Sequence, residues 1–211
     1  LVKLRELFGN SVRIIAFIAM PLGAGVALTS KYIVPLLLGD QWGEAIEPLV
    51  YLSLGFTVFA LRSNVSYIYY SLGIPRVSTA ELFLRTIVFV GLMFWLIEKN
   101  GVVGAAQAFL LASILISMVS CIVVAIVLKV SIWQQVRLYL KPLLATLAMS
   151  LFVYGYLNYL ALDRFFIDLV LAVLLGVAVY FLSVLMLWLL SGRKDGIEKH
   201  AIRFIRSKLK I

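Results

Sequence analysis

The chain has 211 residues, a formal net charge of +9 and 64% hydrophobic residues, with a mean hydropathy of +1.08. Soluble domains average about 45–50% apolar residues, so this composition argues against a water-soluble enzyme. It also argues against a soluble basic domain for nucleic acid. Six apolar runs follow in chain order, at about 14–38, 46–72, 77–97, 102–128, 138–160 and 165–190. Each approaches or exceeds the roughly 20 residues with which a helix crosses a bilayer. The expected fold is all-α: a bundle of six transmembrane helices over residues 1–190, joined by short loops.

The charges between the runs give the orientation. Lys3, Arg5 and Arg13 precede the first run. The first gap holds Asp40 and Glu44 and no base, the second Arg76, and the third Glu98 and Lys99. The fourth gap carries Lys129, Arg137 and Lys141, and the fifth Asp163, Arg164 and Asp168. The tail 191–211 holds Arg193, Lys194, Lys199, Arg203, Arg206, Lys208 and Lys210. Basic loops mark the cytoplasmic side, which places both termini in the cytoplasm, as an even number of spans requires. The positive charge then faces anionic membrane lipids. In the tail, Ile197, Ala201, Phe204, Ile205 and Leu209 recur at helical spacing between bases, the pattern of an amphipathic helix lying at the interface.

Cys121 stands alone in an apolar run, which excludes an intrachain disulfide and reads as a core thiol. His200 is the single histidine, so no histidine-based metal site is expected. The sequence begins at Leu1 without a signal-peptide pattern, and a longer native protein is expected.

Most charges sit at or near the ends of the runs, where they cost little, and four do not. Arg62 lies roughly 15 Å from the cytoplasmic end of the second run at 1.5 Å per residue. An arginine at that depth costs about 2.5–3.5 kcal/mol and should face protein or water. Ser66 and Tyr69 share its helical face, and Ser63 and Asn64 add polarity beside it. Two readings stand: a cationic lining of a substrate cavity, or a structural arginine paired to a neighbouring helix. Glu81 and Arg85 are spaced i,i+4 on the next run, the favourable order for a mutual ion pair. Arg85 lies about 12 Å from the cytoplasmic boundary by helix rise, a depth similar to that of Arg62. Two cations at one level fit an anionic head group, with phosphate the natural candidate. Lys31 sits near the outer end of the first run, where its amine reaches the interface by snorkelling.

Small residues recur at four-residue spacing at Ala19, Gly23 and Ala27, at Gly101 and Ala105, and at Gly104, Ala108 and Ala112. Such stripes let helices approach closely. Pro21 and Pro35 interrupt the first run and Pro142 stands early in the fifth, as in plain packing or in carriers that rock between states.

No G-x-x-x-x-G-K-[ST] loop, H-E-x-x-H motif or nucleophile elbow is present. Asp40 and Glu44 form an acidic loop without a histidine partner. An enzyme is not expected, and no cofactor. Coupling to H+ or Na+ stays open.

Residues 13–42 read R-I-I-A-F-I-A-M-P-L-G-A-G-V-A-L and, further on, I-V-P-L-L-L-G-D-Q-W. This resembles a helix of the bacterial polysaccharide-export flippases of the multidrug/oligosaccharidyl-lipid/polysaccharide superfamily, with its mid-helix P-L-G and terminal L-L-G-x-x-W. The likeness continues through the L-R-S run at Leu61–Ser63, the S-L-G-I-P-R exit at Ser71–Arg76 and the G-V-V-G-A-A stretch from Gly101. It covers about residues 4–128. The resemblance implies movement of an undecaprenyl-diphosphate-linked oligosaccharide across the bacterial inner membrane, for O-antigen, capsule or exopolysaccharide synthesis. It implies two six-helix lobes around a cationic cavity, often with an extra helix pair. This chain would supply the last four helices of the second lobe and that pair, its partner being the missing N-terminal lobe. Arg62 and Arg85, supported by Glu81, Ser66 and Asn64, fit such a cavity. The alternatives are a drug or solute exporter of the same superfamily, and a non-transporting scaffold of the assembly pathway.

Overall fold

The computed structural model describes residues 2–162 and 164–190. Among these residues the chain is helical and has no strand. Helix α1 runs Val2–Leu38 and a 3₁₀ turn occupies Asp40–Ala45. Then come α2 (Ile46–Ala60), α3 (Val65–Ser71), α4 (Pro75–Leu128), α5 (Ile132–Tyr159) and α6 (Phe165–Leu190). The basic amphipathic tail expected at 191–211 lies outside the described residues.

Helix α1 begins well before the apolar run at residue 14. Phe8, Val12, Ala16 and Met20 are all buried. This four-residue repeat carries one face inward through the polar segment, so periodicity extends the helix where mean hydropathy does not. Pro21 and Pro35 lie inside α1 without ending it. Pro21 has no N–H for the Phe17 carbonyl four residues earlier. That carbonyl accepts instead a 2.8 Å hydrogen bond from the Tyr180 hydroxyl of α6. The proline of one helix thereby tethers another.

The second expected helix, 46–72, is broken. The α-helical hydrogen-bond ladder is interrupted between Ala60 and Val65. At the break the amides turn to partners three residues back, Arg62 N–H to Phe59 O and Ser63 N–H to Ala60 O, both 3.1 Å. Ser63 and Asn64 favour such local turns over a helix interior.

The third and fourth expected helices are one element, α4, with a non-helical glycine inside it: Gly101 has φ 57° and ψ −135°. A straight helix would separate Phe89 from Phe109 by about 30 Å, yet their ring centroids are 6.1 Å apart. The chain therefore folds back at Gly101 into two antiparallel arms. A Cβ on Gly104 would overlap the Leu96 carbonyl, so the tip closes only because glycine stands there. Among the described residues five helical stretches are long and apolar enough to cross a membrane, α4 counted once and α2 with α3 counted together. Six had been expected, and the difference lies in this hairpin.

Helix α5 starts at Ile132, earlier than the expected 138, because Ser131 and Gln134 form a capping box. Its turn into α6 is held by the fully buried Asp168. That carboxylate accepts from the Tyr156 hydroxyl at 3.0 Å and from the amides of Leu162 at 2.9 Å and Arg164 at 3.0 Å.

Helix α1 packs against α2, α5 and α6. One core cluster joins Phe8 and Val12 to α3 and the end of α4. The other joins Tyr32 to Met149 and Val153 of α5 and to Ala172 and Tyr180 of α6. At the α1–α2 contact a Cβ on Gly23 would overlap the Thr57 hydroxyl. Leu22, Phe83, Ile87, Phe94, Leu151 and Leu174 are among the many large apolar side chains facing outward. Small residues inside and large apolar ones outside are the build of a multi-pass membrane protein.

Candidate functional site

The break in the second span carries Arg62. Irregular backbone at membrane depth is tolerated only where it is buried in protein or lines a cavity. Arg62 meets both conditions. Its side chain is 15% exposed, and it lines a cavity of about 340 Å³ with Ser117, Ser120, Cys121, Gln135 and Tyr139. Loss of helical phase at residues 61–64 lets this side chain reach the first arm of α4, where its Nη2 donates to Glu81 Oε2 at 2.9 Å.

Glu81 is the hub. Its Oε1 accepts from the Tyr69 hydroxyl at 2.8 Å, and its Oε2 also accepts from Ser120 Oγ at 3.2 Å. Tyr69 is fully buried and Ser120 nearly so. A charge-assisted bond with two further donors offsets part of the cost of burying the pair. Arg62 Nε is buried without a hydrogen-bond partner. A guanidinium offers five donors in one plane, so this cluster keeps hydrogen-bonding capacity beside a cavity.

Arg85 does not pair with Glu81. The expected i,i+4 ion pair is replaced by the contact across to Arg62, because Glu81 points to the α2–α3 break. The Arg85 guanidinium lies 4.1 Å from the Phe59 ring centroid and 5.6 Å from that of Phe109. Phe59 is three residues before Arg62, so the two cations occupy neighbouring turns of one interface. Cation–π contacts hold a charge without neutralising it. A Cβ on Gly55 would come within 2.6 Å of Phe109, so the missing side chain admits the ring that supports Arg85.

Of the supporting polar residues, Ser66 Oγ accepts from Ser78 Oγ at 3.0 Å, which ties α3 to α4 one turn from the cluster. Asn64 occupies the N-cap position of α3 without a side-chain capping bond. Lys31 lies 4.9 Å from the Tyr32 ring centroid and is exposed. Cys121 Sγ donates to Gln135 Oε1 at 3.4 Å, while Gln135 Nε2 returns a 3.1 Å bond to the Cys121 carbonyl. Ser120 was not found by sequence reasoning. Its signal was there: Glu81 and Ser120 stand at nearly equal distances on either side of Gly101, so a hairpin centred on that glycine pairs them.

Residues 2–47, which form α1 and the turn after it, match the family described as "Polysaccharide biosynthesis protein". No curated protein sequence matches the chain. Among solved structures, the fold is similar to that of "Lipid II flippase MurJ, inward closed conformation", with a TM-score of 0.73 and 18% identity over 86% of this chain. The chain spans 38% of the length of that protein. Both findings agree with the resemblance to polysaccharide-export flippases carried by the sequence motifs.

Proposed function

We propose that the chain is the C-terminal part of a flippase for a lipid-linked oligosaccharide, and that Arg62 and Arg85 contact the diphosphate of its substrate. The observation that carries this reading is Arg62 itself: a cation in a helix break, beside a cavity, with one nitrogen unpartnered. Oxyanions of a diphosphate match a guanidinium in charge and geometry. Glu81 holds Arg62 through its Nη2, and an arriving phosphate competes with the carboxylate for the same nitrogen. Tyr69 and Ser120 keep Glu81 in place during the exchange. Arg85, held flat by two rings, supplies the second charge.

In this reading each arm of α4 crosses the bilayer, giving six crossings with both ends in the cytoplasm of a bacterial cell. An N-terminal lobe on another part of the protein completes the cavity. The product serves O-antigen, capsule or exopolysaccharide synthesis, and an H+ or Na+ gradient supplies the energy without a resident cofactor. The protein acts as a transporter and not as an enzyme.

The test is uptake of a lipid-diphosphate oligosaccharide by inverted vesicles carrying the intact protein. Arg62→Ala should lower uptake about tenfold or more, since one lost charge-assisted contact of about 1.5–3 kcal/mol corresponds to at least that factor. Unchanged uptake in correctly inserted Arg62→Ala would sink the role given to Arg62. Absence of uptake in the wild type as well would favour the solute-exporter or scaffold reading.

A further inference from the structure

A second cationic cavity lies at the opposite end of α1 from the 3₁₀ turn. Its volume is about 400 Å³, and its lining includes Arg5, Arg13, Lys129, Asn10, Gln134 and a single carboxylate, Glu6. The three cations come from α1 and from the junction of α4 with α5. Phe8 and Leu138 give it an apolar floor.

How the cations are held is informative. Arg5 Nε donates to the Leu128 carbonyl at 2.6 Å, which anchors the guanidinium on the last turn of α4 and leaves its two Nη groups without a described partner. The side chains of Arg13 and Lys129 make no hydrogen bond or ion pair with any described residue. Lys129 has φ 51° and is the one non-glycine residue with positive φ among the described residues. Glycine fits that helix-ending position without strain. A lysine there costs backbone energy, which places a cation at the rim.

The level of the cavity decides the ligand. Arg13 directly precedes the apolar run at residue 14, and Lys129 directly follows Leu128 at the end of α4. Both therefore stand at the boundary between hydrocarbon and water, where lipid phosphates reside. We infer that this cavity binds a phosphate group, supplied by the headgroup of an anionic phospholipid in the leaflet that the basic loops face. Three cations against one carboxylate favour an anion, the amides of Asn10 and Gln134 add polar groups to the rim, and Phe8 and Leu138 accommodate the glycerol end. The inference rests on the membrane-spanning reading and is independent of what the protein moves.

The test titrates the intact, micelle-purified protein with phosphatidylglycerol, phosphatidylcholine or inorganic pyrophosphate, and reads bound ligand by native mass spectrometry. The variants are Arg13→Gln with Lys129→Gln, and, as a control of equal charge loss away from the cavity, Lys3→Gln with Arg76→Gln. Arg5 is left in place because it also caps α4. Each basic residue near an anionic lipid strengthens binding about fivefold, so the cavity double variant should weaken phosphatidylglycerol about thirtyfold. The control should stay within about twofold of wild type. Preference for phosphatidylglycerol over phosphatidylcholine identifies the lipid headgroup. Tight pyrophosphate binding lost in the cavity variant, with no lipid preference, keeps the phosphate site and assigns it to a soluble phosphate ester. Equal loss in both double variants, or no loss in either, overturns the site.

Discussion

Replacing Tyr180 by Phe removes one hydroxyl and leaves the ring contact with Phe17, at 5.4 Å between centroids, in place. The hydroxyl serves the Phe17 carbonyl, which Pro21 deprives of its intrahelical donor. Hydrogen bonds between membrane helices average about 0.6 kcal/mol, with a maximum near 1.7, because the acceptor usually has another partner. Here the helix offers none, so the cost should lie near the top of that range, about 1.5 kcal/mol, or roughly tenfold in the unfolding equilibrium. Pro21→Ala supplies the missing N–H. In that background Tyr180→Phe should cost about 0.5 kcal/mol or less, leaving a coupling of about 1 kcal/mol between two residues on different helices. Equilibrium unfolding in mixed dodecylmaltoside and SDS micelles, on all four members of the cycle, measures it. An equal cost of Tyr180→Phe with and without Pro21 would refute the tether.

Gly23→Ala should destabilise the α1–α2 contact by about 1–3 kcal/mol, because the added methyl would overlap Thr57 and stand 3.0 Å from the Ser53 carbonyl. Gly25→Ala, two residues on, meets nothing within 4 Å and should be neutral or stabilising by up to about 1 kcal/mol; the same micelle unfolding compares them. Asp168→Asn replaces an acceptor oxygen by a donor in a turn where the carboxylate takes three hydrogen bonds. Amide exchange at Leu162 and Arg164 should then quicken by roughly tenfold, and unchanged protection would mean that the turn holds without the carboxylate.

Hydropathy alone determined that the chain is helical and apolar enough for a membrane, because a bilayer leaves few other ways to satisfy a long apolar backbone. It also drew attention to Arg62, Glu81 and Arg85, since a charge within an apolar run is costly wherever it ends up. Helix ends were less legible. The inward face of α1 begins at Phe8 among polar neighbours, and the cap at Ser131 starts α5 before its apolar run does.

What tertiary structure alone decided is which charge meets which. Spacing within one helix favoured Glu81 with Arg85, but an i,i+4 pair is worth only about 0.2–0.5 kcal/mol, less than the turn of the chain can redirect. The break at 61–64 swings Arg62 onto Glu81, and Phe59 and Phe109 take Arg85 instead. The reversal at Gly101 brings Ser120 to the same carboxylate. Both events depend on a few backbone dihedrals, φ 57° at Gly101 among them. Such dihedrals leave hydropathy unchanged while moving side chains by many ångströms, so only the folded chain assembles the site.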